Sequence, residues 1–118
     1  MAAIHWGVVA ASYVARHPTI DGMVFLASYP ANDALKNNDI RTLSIYGSQD
    51  GLTTPQDIED SRALLPSDAV FVEIKGGNHS QFGSYGLQDG DNQATILPEK
   101  QWSQIVDATV ALLDTDSE

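Results

Sequence analysis

The stretch Thr42-Leu-Ser-Ile-Tyr-Gly-Ser-Gln-Asp-Gly-Leu-Thr-Thr-Pro55 decides the fold. Its first five residues alternate, favour extended backbone and stop at Gly47, which reads as a strand. Thr54 before Pro55 reads as a helix start, because a threonine hydroxyl can accept a free backbone N–H of the first turn. Proline presets φ at a position whose own N–H has no helical partner. Ile58, Leu64 and Leu65 then give the helix a core stripe up to Pro66. Downstream, Val70-Phe-Val-Glu-Ile74 is another strand, closed by Lys75-Gly76-Gly77. Upstream, Met23-Val-Phe-Leu-Ala-Ser28 is a continuous apolar run between Asp21-Gly22 and Tyr29-Pro30. It does not alternate, so it reads as a central parallel strand buried on both faces.

Helical segments flank these strands. Gly7 to Ala15 is apolar on nearly every face and is closed by His17-Pro18, the pattern of a buried helix. Pro98 opens a last helix in which Trp102, Ile105, Val106, Thr109, Leu112 and Leu113 recur at helical spacing, with Trp102 read as a core residue. Between Asn78 and Ile96 the chain is rich in Gly, Gln and Asp without a clear period, which predicts a long loop. Asp114 to Glu118 reads as an acidic, frayed tail. Strands alternating with helices predict an α/β architecture: a three-layer parallel sheet of about three strands plus helices, in one domain over residues 1–118. Three strands are fewer than such sheets usually hold, so the reading expects a partial domain.

Composition narrows the function classes. The 118 residues are 42% hydrophobic and 19% charged, enough for one core and too apolar for a disordered chain. Asp plus Glu number 16 against 6 Lys plus Arg, a net charge of -10 that repels nucleic acid and anionic lipid. With 0 Cys there is no disulfide, no thiolate metal site and no cysteine nucleophile. No apolar run is long enough to span a bilayer, and the N-terminus lacks a charged segment ahead of an apolar one, so a soluble chain is expected.

In open parallel sheets chemistry gathers at the carboxyl ends of the strands. Asp50 follows the strand ending at Tyr46, and His79 follows the strand ending at Ile74. Taken singly, an Asp before a Gly is a turn former and a His in a Gly-rich loop is a solvated one. Placed together at one sheet edge, a carboxylate can fix an imidazole's tautomer and stabilise the imidazolium that forms in nucleophilic acyl transfer. Asp89-Gly90-Asp91-Asn92 has the look of a calcium-loop fragment but lacks a Glu at the spacing an EF-hand needs. No metal and no cofactor is expected. Gly76-Gly77 precedes a loop, without a Walker lysine pattern, and does not read as a phosphate cradle. Phe82 and Tyr85 are candidates to line an apolar pocket above His79.

The strings Y-G-S-Q-D-G-L-T-T-P at Tyr46 to Pro55 and G-N-H-S-Q-F-G at Gly77 to Gly83 resemble the acid and histidine loops of bacterial esterase-like α/β-hydrolases. Gly7 to Pro18 is similar to the helix after the nucleophile in that fold, and Met23 to Pro30 to the strand that follows it. The resemblance implies the C-terminal half of an α/β-hydrolase fold, with Asp50 as triad acid and His79 as general base. The order Ser, then Asp, then His also fits. The nucleophile does not: a G-x-S-x-G elbow aligned on Gly7 puts Ile4 at the serine position and bulky Trp6 at a glycine position. Neither Ser12, inside the apolar helix, nor His5, Ser48 or Ser80 takes its place; Ser80 is expected to bond locally and Ser48 to shape its turn.

Written GGC CAT TCA CTG GGC and read one base late, an elbow G-H-S-L-G gives Ala3-Ile4-His5-Trp6, so an out-of-frame serine elbow is one reading of this segment. Resequencing the locus tests it, and in-frame codons for Ile, His and Trp with no nearby serine codon would end it. In this fold the oxyanion-hole loop also lies upstream of the elbow, so the N-terminal half is expected to be absent. The resemblance therefore implies a carboxylesterase-like serine hydrolase of small-molecule esters that retains Asp50 and His79 and lacks a recognisable nucleophile. The alternative is a non-catalytic remnant or interaction module that forms a homodimer or pairs with a complementing N-terminal fragment.

Overall fold

The computed structural model describes residues 22–37, 40–83 and 86–116, with side chains described up to residue 112. The expected helix from Gly7 to Ala15, Ile4 and the other elbow residues, Ser12 and Tyr85 lie outside the described residues. Three strands, β1 (Gly22–Leu26), β2 (Arg41–Gly47) and β3 (Val70–Ile74), form a parallel sheet in the order β1-β2-β3. The sequence places all three. The central strand, however, is β2: among the described residues β1 pairs only with β2, so its apolar run marks two covered faces rather than a middle position. Burial along β1 shows how the faces differ, with Met23 and Phe25 buried and Val24 and Leu26 half-buried.

Side chains alternate between the faces as a pleated strand requires. On one face Met23, Phe25 and Phe71 gather with Leu35, Ile40 and Leu65. On the other, Val24, Leu26, Leu43, Ile45, Val72 and Ile74 meet Ile105, Ala108 and Leu112. The first face is covered by α1 (Pro55–Ser61) and the 3-10 turn Arg62–Leu64, whose Arg62 guanidinium sits 4.0 Å from the Phe71 ring centroid. The second is covered by α2 (Pro98–Asp116). The result is the expected three layers.

Helix α1 starts where Thr54 and Pro55 predict. The Thr54 hydroxyl accepts from Asp57 N at 3.2 Å, while the Asp57 carboxylate accepts from Thr54 N at 3.0 Å, closing a capping box. The α-helix ends at Ser61, and the stretch expected to run helical to Leu65 finishes as the 3-10 turn. Helix α2 starts at Pro98 as predicted and reaches Asp116, so the residues from Asp114 to Asp116 are helical and not a frayed tail.

The core face of α2 differs from the expected one. Gln101 is fully buried, and Ile105, Ala108 and Leu112 continue from it at helical spacing onto the sheet. Trp102, Val106 and Val110 are exposed by 41%, 58% and 47%. At about 100° per residue, the apolar positions cover two adjacent stripes, and only the one that includes Ile105 and Leu112 meets the sheet. Trp102 is thus not a core residue; its indole Nε1 donates to Gln81 O at 2.6 Å and braces the loop after β3.

Candidate functional site

Parallel pairing brings the carboxyl ends of β2 and β3 side by side, with Gly47 opposite Ile74 in register. The two loops that leave these ends touch through their backbones. Ser48 N donates to Ile74 O at 3.1 Å and Gln49 N to Gly77 O at 2.8 Å. Gly47 permits this approach, because a Cβ there would lie 2.4 Å from Gly77 O, inside van der Waals contact with rigid backbone. Ser48 does more than shape its own turn, since its Oγ accepts from Gly76 N at 2.8 Å in the other loop.

Asp50 and His79 are each 2% exposed and stand together at this edge. Their side chains meet at 2.9 Å, Asp50 Oδ2 to His79 Nδ1. A carboxylate only accepts, so Nδ1 donates its proton, and in the neutral ring Nε2 then keeps its lone pair. The other Asp50 oxygen accepts from Leu52 N at 2.8 Å and Thr53 N at 2.7 Å, which locks the acid onto its own turn. The turn-former reading of Asp50 and its pairing with His79 are thus both true, one for each oxygen. His79 Nε2 is buried without a hydrogen-bond partner among the described residues.

Three residues that the sequence reading did not assign to the site support the histidine loop. Asn78 Oδ1 accepts from Gln81 N at 2.9 Å and its Nδ2 donates to Asn92 O at 2.8 Å. Buried Gln101 reaches up from α2: its Oε1 accepts from Asn78 N at 3.2 Å and Gln81 Nε2 at 2.8 Å, and its Nε2 donates to Asn78 O at 2.9 Å. Asp91 accepts bonds from both loops. Within the expected long loop, Ser80–Phe82 forms a 3-10 turn. Ser80 Oγ reaches further along the loop than the local bonding expected of it, donating to Asp91 Oδ2 at 2.6 Å and accepting from Gln88 N at 2.8 Å.

Phe82 packs against the Leu43, Ile45 and Ile74 cluster. A cleft lined by Asn78, Ser80, Gln81, Leu87, Pro98 and Trp102 opens on the outer side of the histidine loop, and neither Asp50 nor His79 lines it. Among the described residues no group of three or more His, Asp or Glu is placed to hold a metal ion. None of their helices is long and apolar enough to cross a membrane.

A parallel sheet with helices on both faces and an acid–imidazole pair at its carboxyl edge defines the class. The model of a family described as the alpha/beta hydrolase family matches residues 4–103, and the chain belongs to that family. A crystal structure from Klebsiella pneumoniae subsp. pneumoniae MGH 78578, described as that of a candidate dienelactone hydrolase, has a similar fold, with a TM-score of 0.52 and 16% identity over 86% of this chain. The chain spans 47% of that protein's length. No curated protein matches the chain.

Proposed function

We propose that this chain carries the acid and the general base of a serine-hydrolase relay acting on small-molecule esters, with Asp50 as the acid and His79 as the base. One observation carries the reading: the 2.9 Å contact between Asp50 and His79 Nδ1 leaves a buried Nε2 with no other bond among the described residues. In that state Nε2 can take the proton of an attacking hydroxyl, and Asp50 stabilises the imidazolium that results. The same Nε2–H then protonates the leaving alkoxide, so acid and base roles belong to one ring. Family order puts the attacking serine upstream of Asp50, where this sequence has Ile4. In this family the strand and oxyanion loop that serve the nucleophile lie upstream of the elbow.

The test installs a hydroxyl with Ile4→Ser and Trp6→Gly and follows acetylation of position 4 by p-nitrophenyl acetate with mass spectrometry. Acetylation about 10²-fold or more faster than in the same chain bearing His79→Ala is the expected result, the span of general-base assistance. Equal labelling of the two chains, including none in either, would overturn the assignment of His79.

A second reading, self-association or pairing with a separate fragment, is favoured by a different observation. The outer edge of β1 has no strand partner among the described residues, and Trp102, Val106 and Val110 present an exposed apolar stripe on α2.

A further inference from the structure

The carboxylate of Asp91 is taken up by the two loops that carry the Asp50–His79 pair. Its Oδ1 accepts from Gly51 N at 2.9 Å and from Asn92 N at 2.9 Å. Its Oδ2 accepts from Ser80 N at 2.7 Å and from Ser80 Oγ at 2.6 Å. Gly51 is the residue after Asp50, and Ser80 is the residue after His79. One side chain therefore bonds the immediate neighbour of each member of the pair.

The surroundings are built for this contact. A Cβ on Gly51 would stand 2.7 Å from Gly90 O, so glycine lets the Asp91 turn lie against the acid loop. Asp91 N donates to Gln88 O at 3.1 Å, and Gln88 N donates to Ser80 Oγ, so the turn closes on the histidine loop as well. A residue that only shaped its own turn would need the Asn92 bond alone; three of the four bonds reach other segments. Nor is this a cation site. Three N–H groups and one O–H point at the carboxylate, which is a cradle for an anion. Burial, the largest single influence on the Asp91 carboxyl, acts to raise its pKa. The bonds from Gly51 N, Ser80 Oγ, Ser80 N and Asn92 N outweigh it and hold the pKa below the ordinary value.

We propose that Asp91 is a positioning residue for the Asp50–His79 pair, a carboxylate clamp that fixes the acid loop against the histidine loop and so sets the distance between carboxylate and imidazole. The proposal rests on the reading of Asp50 and His79 as acid and base. Its physical basis is tolerance: a drift of under 1 Å takes the 2.9 Å contact past hydrogen-bonding range, and loops joined only at their bases drift more than loops also joined past their functional residues.

The test is proton NMR of the full chain, reading the far-downfield Nδ1–H resonance that a histidine shows when it donates to a carboxylate. The unmodified chain is expected to show it. Asp91→Ala is expected to lose it, or to exchange it with water about tenfold faster, while the dispersed spectrum of the fold persists. Asp91→Asn, which keeps one accepting oxygen and the shape of the side chain, is expected to fall between and serves should the alanine variant not fold. Leu65→Val, a destabilising change on the opposite face of the sheet, is expected to leave the resonance unchanged. Unchanged exchange in both Asp91 variants would overturn the clamp alone. Absence of the resonance from the unmodified chain would overturn the acid–base reading and the clamp with it.

Discussion

Asp50→Asn and Asp50→Ala separate the two tasks of one side chain. The Oδ1 atom holds Leu52 N and Thr53 N, and Oδ2 holds His79 Nδ1. In the asparagine variant the amide oxygen keeps the two backbone bonds, and the amide nitrogen faces the imidazole. That nitrogen can only donate, so Nδ1 must accept and the ring proton moves to Nε2. Stability changes little, by about 1 kcal/mol, as a charge-assisted bond is replaced by a neutral one. In the alanine variant three donors lose their acceptor at once, two of them on the buried residues Thr53 and His79. At roughly 1–3 kcal/mol for each of these two buried unsatisfied groups, the loss is about 2–6 kcal/mol. For 118 residues the unfolding entropy is about 250 cal/mol/K, so each kcal/mol moves Tm by about 4 °C. The expected falls in Tm are therefore about 4 °C for Asn and about 8–24 °C for Ala. Circular-dichroism melts read the stabilities, and nitrogen shifts of ¹⁵N-labelled imidazole read the tautomer. An asparagine variant as unstable as the alanine one would refute the turn-holding role of Oδ1. A ring still protonated at Nδ1 in the asparagine variant would refute the claim that Asp50 sets the tautomer.

Acid should act on the Asp91 clamp with a definite sign. Because the folded pKa is depressed, its stabilisation is fully present above the ordinary value of 3.8 and is lost as pH falls through the lower folded value. The stability difference between the unmodified chain and Asp91→Asn, from urea melts, should be flat between about pH 5 and 7 and close below 3.8; a difference that grows on acidification would contradict it. The apolar stripe on α2 predicts that Val106→Lys, at a position 58% exposed, raises the monomer fraction in light-scattering chromatography with Tm changed by less than about 2 °C. A single monomeric species before and after the change would exclude association through this face.

How much of this was legible in the sequence depended on whether a residue's surroundings are local. The strands stood out because short apolar runs end in Gly and Pro, and Thr54-Pro55 marked a helix start through chemistry contained in four residues. Asp50 and His79 were legible because a parallel sheet delivers residues just past its strand ends to one edge. Gln101 was not, because a glutamine one turn into a helix carries no local sign of burial; its partners Asn78 and Gln81 lie on another element. Trp102 misled for the reverse reason. Hydrophobicity placed it inside, but a helix of alternating stripes offers the sheet only one of them, and Gln101 takes that place because its amide meets buried backbone groups. Asp91 was noticed for the wrong chemistry. Its acidic, glycine-containing run resembles a cation loop, and only the donors arriving from Gly51 and Ser80 show that it ties the acid loop to the residue beside His79.

These contacts also show how the Asp50–His79 pair is held from within the described residues. Asp50 is held by the N–H groups of its own turn, and His79 lies between Asn78, which Gln101 anchors to α2, and Ser80, which Asp91 anchors to the acid loop. Every one of these bonds joins residues that follow β2 in the chain. Assembly of the pair therefore depends on β2, β3 and α2, not on the strand that carries the nucleophile in this family. One polar ring atom is left over among the described residues, His79 Nε2, and on the proposed reading it is the atom that meets a nucleophile. The proposed division of labour runs through a single imidazole: its Nδ1 side is held by Asp50, and its Nε2 side is where, on that proposal, a serine hydroxyl would complete the relay.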